Sequence, residues 1–188
     1  MLERLGKSND PKVLAQIVYT CVYLPDAVSD PSILIGMADR AVKASASIHL
    51  QGAALCRAGE FAEALPILDR AIEEGRPRCK PWEWLFAALV HEKLGNREQA
   101  RRYLDQSQQW IEEADHREAN PGSELWPDPY QPVEVKQLYR EVDALLAAKM
   151  GAPKVLSVPV NVTPLDPLFV TSVLARIHRS PVRSAPLN

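Results

Sequence analysis

The feature that most limits how this chain can fold is a repeat. Leu55-Cys56-Arg57-Ala58-Gly59-Glu60-Phe61-Ala62-Glu63-Ala64-Leu65-Pro66-Ile67-Leu68-Asp69 returns 36 positions later as His91-Glu92-Lys93-Leu94-Gly95-Asn96-Arg97-Glu98-Gln99-Ala100-Arg101-Arg102-Tyr103-Leu104-Asp105. Glycine, alanine, leucine and aspartate recur in register. A fixed period in the thirties marks a helical-repeat array, in which each unit buries its apolar face only against its neighbours. The repeat therefore predicts an all-α chain, an antiparallel helix-pair solenoid. Such arrays bind other macromolecules more often than they do chemistry.

Helix signals divide the chain further. Asp10-Pro11 opens a helix, with aspartate as cap and proline at the first helical position, where a missing N–H costs nothing. Val13, Leu14, Ile17, Val18 and Cys21 then carry a helical period up to Pro25. Asp30-Pro31 repeats the device before Leu34, Met37, Ala38, Ala41 and Val42. These signals predict helix pairs at about 11–44, 46–74 and 81–118, then a capping helix at about 133–149. Gly59 and Gly95 end the first helices of their pairs, where a left-handed residue satisfies free carbonyls. The repeat domain thus spans residues 1–149. Residues 150–188 hold six of the sixteen prolines and are expected to be mostly extended or disordered. Within them Phe169, Val173, Leu174 and Ile177 share a helical face at about 167–178, read either as an orphan helix or as a peptide that docks on something.

Composition narrows the classes. Net charge is −2, too balanced for a dedicated nucleic-acid binder. The balance is uneven, because residues 151–188 carry Lys154, Arg176, Arg179 and Arg183 against Asp166 alone. No run approaches the length of a membrane span, and the amino terminus lacks the apolar core of a signal peptide. The three cysteines share no CxxC spacing, which suits reduced thiols in the cytoplasm.

These residues resemble the tetratricopeptide repeat family, whose unit is two antiparallel helices with a W-x2-L-G-x2-Y…A-x3-F…P pattern. Trp84, Ala87, Ala88, His91, Ala100 and Leu104 take its slots in one repeat; Ile48, Gln51, Gly52, Leu55, Ala64 and Leu68 take them in the preceding one. Gln51 is polar, the aromatic Tyr and Phe are missing, and the closing proline is displaced to Pro77 and absent after Ser107. Without that stop the last paired helix is expected to run on to about Glu118.

A narrower likeness runs through Met1-Leu2-Glu3-Arg4-Leu5-Gly6-Lys7, Cys21-Val22-Tyr23-Leu24-Pro25-Asp26-Ala27-Val28, Trp84-Leu85-Phe86-Ala87 and Leu138-Tyr139-Arg140-Glu141-Val142-Asp143-Ala144-Leu145-Leu146; it is similar to such repeats at the carboxyl end of bacterial eukaryotic-like serine/threonine kinases, often beside WD40 repeats. The chain lacks the kinase's Gly-rich loop, HRD and DFG motifs.

The resemblance implies a non-catalytic module that holds a protein or peptide in a concave groove, with a kinase-type regulatory fragment as the alternative. His49, Ala53, Cys56 and Arg57 on one helix, and Trp82, Leu85, Leu89, Glu92 and Lys93 on the next, would line that groove. The competing reading has Leu85 and Leu89 packed on neighbouring helices, with only the charged ends exposed. No cofactor is expected. No His/Cys set reaches three ligands at metal-site spacing, and no catalytic constellation stands out.

Overall fold

The computed structural model describes residue 8 and residues 10–24, 27–44, 46–75, 81–118 and 131–148. The tail at 150–188, its segment 167–178, Cys79 and residues 119–130 lie outside the described residues. The described chain is all-helical: α1 Pro11–Val22, α2 Ser32–Lys43, α3 His49–Ala58, α4 Phe61–Gly75, α5 Pro81–Lys93, α6 Arg97–Glu118 and α7 Gln131–Ala148.

Local chemistry sets the helix ends. A carboxylate oxygen of Asp10 accepts from the Lys12 amide at 2.9 Å, capping α1. Asp30 accepts from the Ser32 amide at 3.1 Å just ahead of α2, whose N-cap position is Pro31. Gly59 and Gly95 both stand at φ 85°, a conformation that costs an L-residue with a Cβ roughly 1–2 kcal/mol. The Gly59 amide donates to Cys56 O at 3.2 Å and the Glu60 amide to Leu55 O at 3.0 Å. The Gly95 amide donates to Glu92 O at 3.2 Å and the Asn96 amide to His91 O at 2.8 Å. These are two copies of one Schellman turn. Each folds a helix back on its predecessor through a very short link, making the hairpins α3–α4 and α5–α6.

Packing between helices follows a simple rule. Each helix touches its neighbours in the chain, and α1, α3, α5 and α7 also touch one another in series. Among the described residues α2, α4 and α6 do not touch each other. The odd-numbered helices thus touch one another in a row, while among the described residues each even-numbered helix touches only its neighbours in the chain.

Side-chain size matches this layout. α4 is amphipathic, with Ala64, Leu68, Ala71 and Ile72 buried and acidic or basic residues outside. In α6 the buried residues Ala100, Leu104, Ser107, Ile111 and Ala114 form a narrow stripe along one side. The central helices are different. α5 is buried at every position from Glu83 to Glu92, because it has helices on several sides. Between α3 and α4 the approach is close: a Cβ on Gly52 would lie 2.7 Å from Cγ and Cδ2 of Leu68. The positions 36 further along hold Ala88 and Leu104, both buried.

α6 runs to Glu118, since no proline stops it after Ser107. Its second half supports α7. Lys136 reaches Asp115 at 2.8 Å, and the Tyr139 hydroxyl donates to Gln108 Oε1 at 3.1 Å.

Gly52→Ala is expected to destabilise the protein in spite of better helix propensity. The gain is about 1 kcal/mol, whereas crowding against the fully buried Leu68 costs about 1–3 kcal/mol. Urea denaturation of Gly52→Ala, Leu68→Ala and the double variant should show Leu68→Ala costing less in the Gly52→Ala background; strict additivity would mean the two side chains are not in contact.

Candidate partner-binding face

The front of the odd-numbered row can be located on α3 itself. Gln51 turns back to α2, its Nε2 donating to Asp39 Oδ1 at 2.8 Å, and Gly52 faces α4. At 100° per residue the opposite side carries Leu50, Ala53 and Arg57. The positions 36 further along, on α5, are Phe86, Leu89 and Lys93. His49 and Cys56 lie beside this line on α3, and Leu85 and Glu92 beside it on α5. All nine residues expected from sequence thus fall on two helices that pack together.

They do not form an open trough. His49, Ala53, Cys56, Leu85, Leu89 and Glu92 are buried, Trp82 and Arg57 are partly covered, and Lys93 alone is exposed. Small residues on α3 explain part of this. Tyr23, just after α1, and Phe86 of α5 meet with ring centroids 6.2 Å apart. Since α3 separates α1 from α5 in the row, the two rings meet across its front.

Arg57 ties this layer together. Its Nε donates to the Val22 carbonyl at the end of α1, and its guanidinium lies 5.6 Å from the Phe86 ring centre. The two terminal nitrogens grip Glu141 of α7, one at 2.8 Å. A planar fork against a carboxylate is the geometry that favours arginine over lysine. One side chain thus joins α1, α3, α5 and α7. Exposure is unequal: the Arg57 side chain is 6% exposed and that of Glu141 24%.

Burial governs the titratable groups. The Cys56 thiol is pushed up to about 12 by burial, against the opposing pull of Arg57 and Lys93; Cys21 is pushed up to about 11 by burial. Both are free thiols and are poor nucleophiles in that state. His49 sits between Tyr19 and Trp82, with centroids 5.4 and 6.1 Å away. Its Nδ1 is 2.8 Å from Ser47 Oγ and 3.8 Å from Glu83 Oε1. Burial drives its pKa down to about 4, so the imidazole is neutral at pH 7. Tyr19 is pushed up to about 12 by burial and by the charge of Glu83.

Comparison with protein-family models, curated proteins and solved structures finds no match to this chain. The site must be judged on its own residues. Among the described residues no group of three His, Cys, Asp or Glu side chains is placed to hold a metal ion, and no helix is long and apolar enough to cross a membrane.

Sequence reasoning missed Leu50, Phe86 and Glu141. The first two were legible from the helical wheel once Gly52 was taken as the rear of α3. Glu141 carried no signal, because its partner is 84 positions away.

Two outcomes are expected. Double-mutant cycles on Arg57→Ala and Glu141→Ala, read by urea denaturation, should give a coupling energy of about 1–3 kcal/mol; a value near zero would class the pair with solvated surface pairs. The second concerns pH. His49 binds its proton more weakly in the folded chain than in the unfolded one, so its neutral form supports folding above about pH 6.5, and that support is lost as the pH falls towards about 4. Between pH 7 and 4.5 this group alone should cost about 2 kcal/mol, a loss that His49→Leu should remove from the difference between the two urea midpoints.

Proposed function

We propose that this chain is a non-catalytic protein-interaction module, a solenoid of antiparallel helix pairs of the tetratricopeptide-repeat kind. In this reading α1–α2, α3–α4 and α5–α6 are three units, α7 is the capping helix, and a partner polypeptide lies along the front of the odd-numbered row. The observation that carries the reading is the pair of identical Schellman turns at Gly59 and Gly95, 36 positions apart. The packing of the helices agrees with it, since units that touch only their neighbours stack in this way.

The chemistry of the front favours binding over catalysis. Arg57, Lys93, Trp82 and Phe86 are of the residue types enriched at interaction anchors or able to recognise carboxylates. The groups with shifted protonation, His49, Cys56 and Tyr19, are held in their neutral forms by burial. A partner carboxylate would reach Arg57 only by exchanging with Glu141. Affinity would then be the difference between two similar ion pairs and modest in size. Two buried free thiols suit a reducing compartment, in keeping with the cytoplasmic setting expected from the sequence.

The test is a peptide-library screen with the full chain, followed by titration of any bound polypeptide. Lys93→Glu is exposed and leaves packing alone. It should weaken a genuine groove ligand by about tenfold through lost charge complementarity. Absence of any polypeptide ligand, or binding indifferent to Lys93→Glu, would count against the assignment.

A further inference from the structure

Arg57 is held in place by groups that do not belong to α7. Its Nε donates to the Val22 carbonyl at the end of α1, and its guanidinium lies 5.6 Å from the centre of the Phe86 ring on α5. The two terminal nitrogens, which grip Glu141, are thus aimed by the rest of the array. A fork set in advance against one carboxylate loses little freedom when that carboxylate arrives. This is the arrangement of a receptor, and α7 supplies its ligand.

α7 has the pattern of a helix that fits a groove. Val135, Leu138, Val142 and Leu146 are buried, at the i, i+3, i+7, i+11 spacing of groove anchors. Gln137, Arg140, Ala144 and Ala147, on the opposite side, are exposed. The two flanks meet different helices. On one, Tyr139 and Lys136 reach Gln108 and Asp115 of α6. On the other, Glu141 reaches Arg57 of α3. The seat of α7 is therefore an apolar floor on α5 and α6, with a fixed guanidinium along one edge.

This helix is also the least tied to the repeat. Among the described helices α7 packs on α5 and α6 alone. It stands at the end of the row, outside the hairpins α3–α4 and α5–α6. Repeat arrays open from their ends, because a terminal element has a neighbour on one side only.

We infer that the seat of α7 is a helix-binding groove, that the partner it accepts is an amphipathic helix carrying a carboxylate on the flank that meets Arg57, and that α7 is the resident which such a partner replaces. The inference rests on the reading of this protein as a polypeptide-binding module; it names the kind of partner and the element that competes with it. As part of the same chain, α7 competes at an effective concentration of about 1 mM.

The probe is a fluorescein-labelled synthetic peptide with the sequence of residues 131–148, titrated into the full-length chain and followed by fluorescence anisotropy. A peptide equal to the resident should half-saturate the wild-type protein at about 1 mM. It should bind about tenfold tighter to the Glu141→Gln protein, whose own α7 has lost its ion pair with Arg57; circular dichroism checks that this variant keeps its helix content. A peptide carrying the same Glu141→Gln change should bind about tenfold more weakly than the unchanged peptide. That difference is read on the wild-type protein as well, so it does not depend on how the variant folds. No saturable binding well above 1 mM, equal binding of the two peptides, or equal binding of a scrambled peptide of the same composition would overturn the inference. If the peptides behave as expected while the library screen yields no foreign polypeptide, the groove stands and the adaptor reading falls. A foreign polypeptide that binds the wild-type and Glu141→Gln proteins equally would keep the adaptor reading and overturn this one.

Discussion

Everything in this structure depends on two glycines that adopt a left-handed backbone. At Gly59 and Gly95 the chain reverses within a few residues, with two carbonyls of the preceding helix satisfied by the turn. A Cβ at either place would meet no atom within 4 Å. The constraint is therefore the backbone angle itself and not space. Because both turns reverse the chain in the same way and lie 36 positions apart, the second helix of each pair returns along the first with the same register. The small residues then matter: Gly52 falls where two helices approach closely, and Ala64, Ala88 and Ala100 are fully buried.

The result separates the helices by environment. The even-numbered helices keep a solvated side, and their surface pairs, such as Arg70–Glu74 and Arg102–Glu98, are exposed and contribute little. The central odd-numbered helices lose water over most of their surface. Charged residues there stand under different rules, since an unpaired buried charge costs several kcal/mol. Arg57 meets that demand by joining a carbonyl, an aromatic ring and a carboxylate from three other helices. Such a group specifies position more than it adds stability, because the cost of desolvating a fork and a carboxylate largely offsets their attraction. Its consequence is geometric: α7 is held at one angle to α3, and the front of the row is closed at that point.

Much of the helical architecture could be read from neighbouring residues. The helix starts at Asp10 and Asp30, the glycine ends, and the stripe of Ala100, Leu104, Ser107 and Ile111 are local patterns whose physics needs no distant partner. The nine candidate residues on α3 and α5 could also be placed on adjacent helices from the repeat alone. Their burial could not. Leu85 and Leu89 look identical in sequence whether they face a groove or a neighbouring helix, and His49 looks like a surface histidine until Tyr19 and Trp82 close around it.

The sequence by itself determined that the chain is helical, where its helices turn back, and which small residues allow close approach, since each of these is set within one or two helical turns. The tertiary structure decided which face is sealed and which charges meet. Arg57 and Glu141 are 84 positions apart, and the Tyr23 and Phe86 rings come together only because α1, α3 and α5 stand side by side. Burial is a property of the assembled helices, and no stretch of sequence contains it.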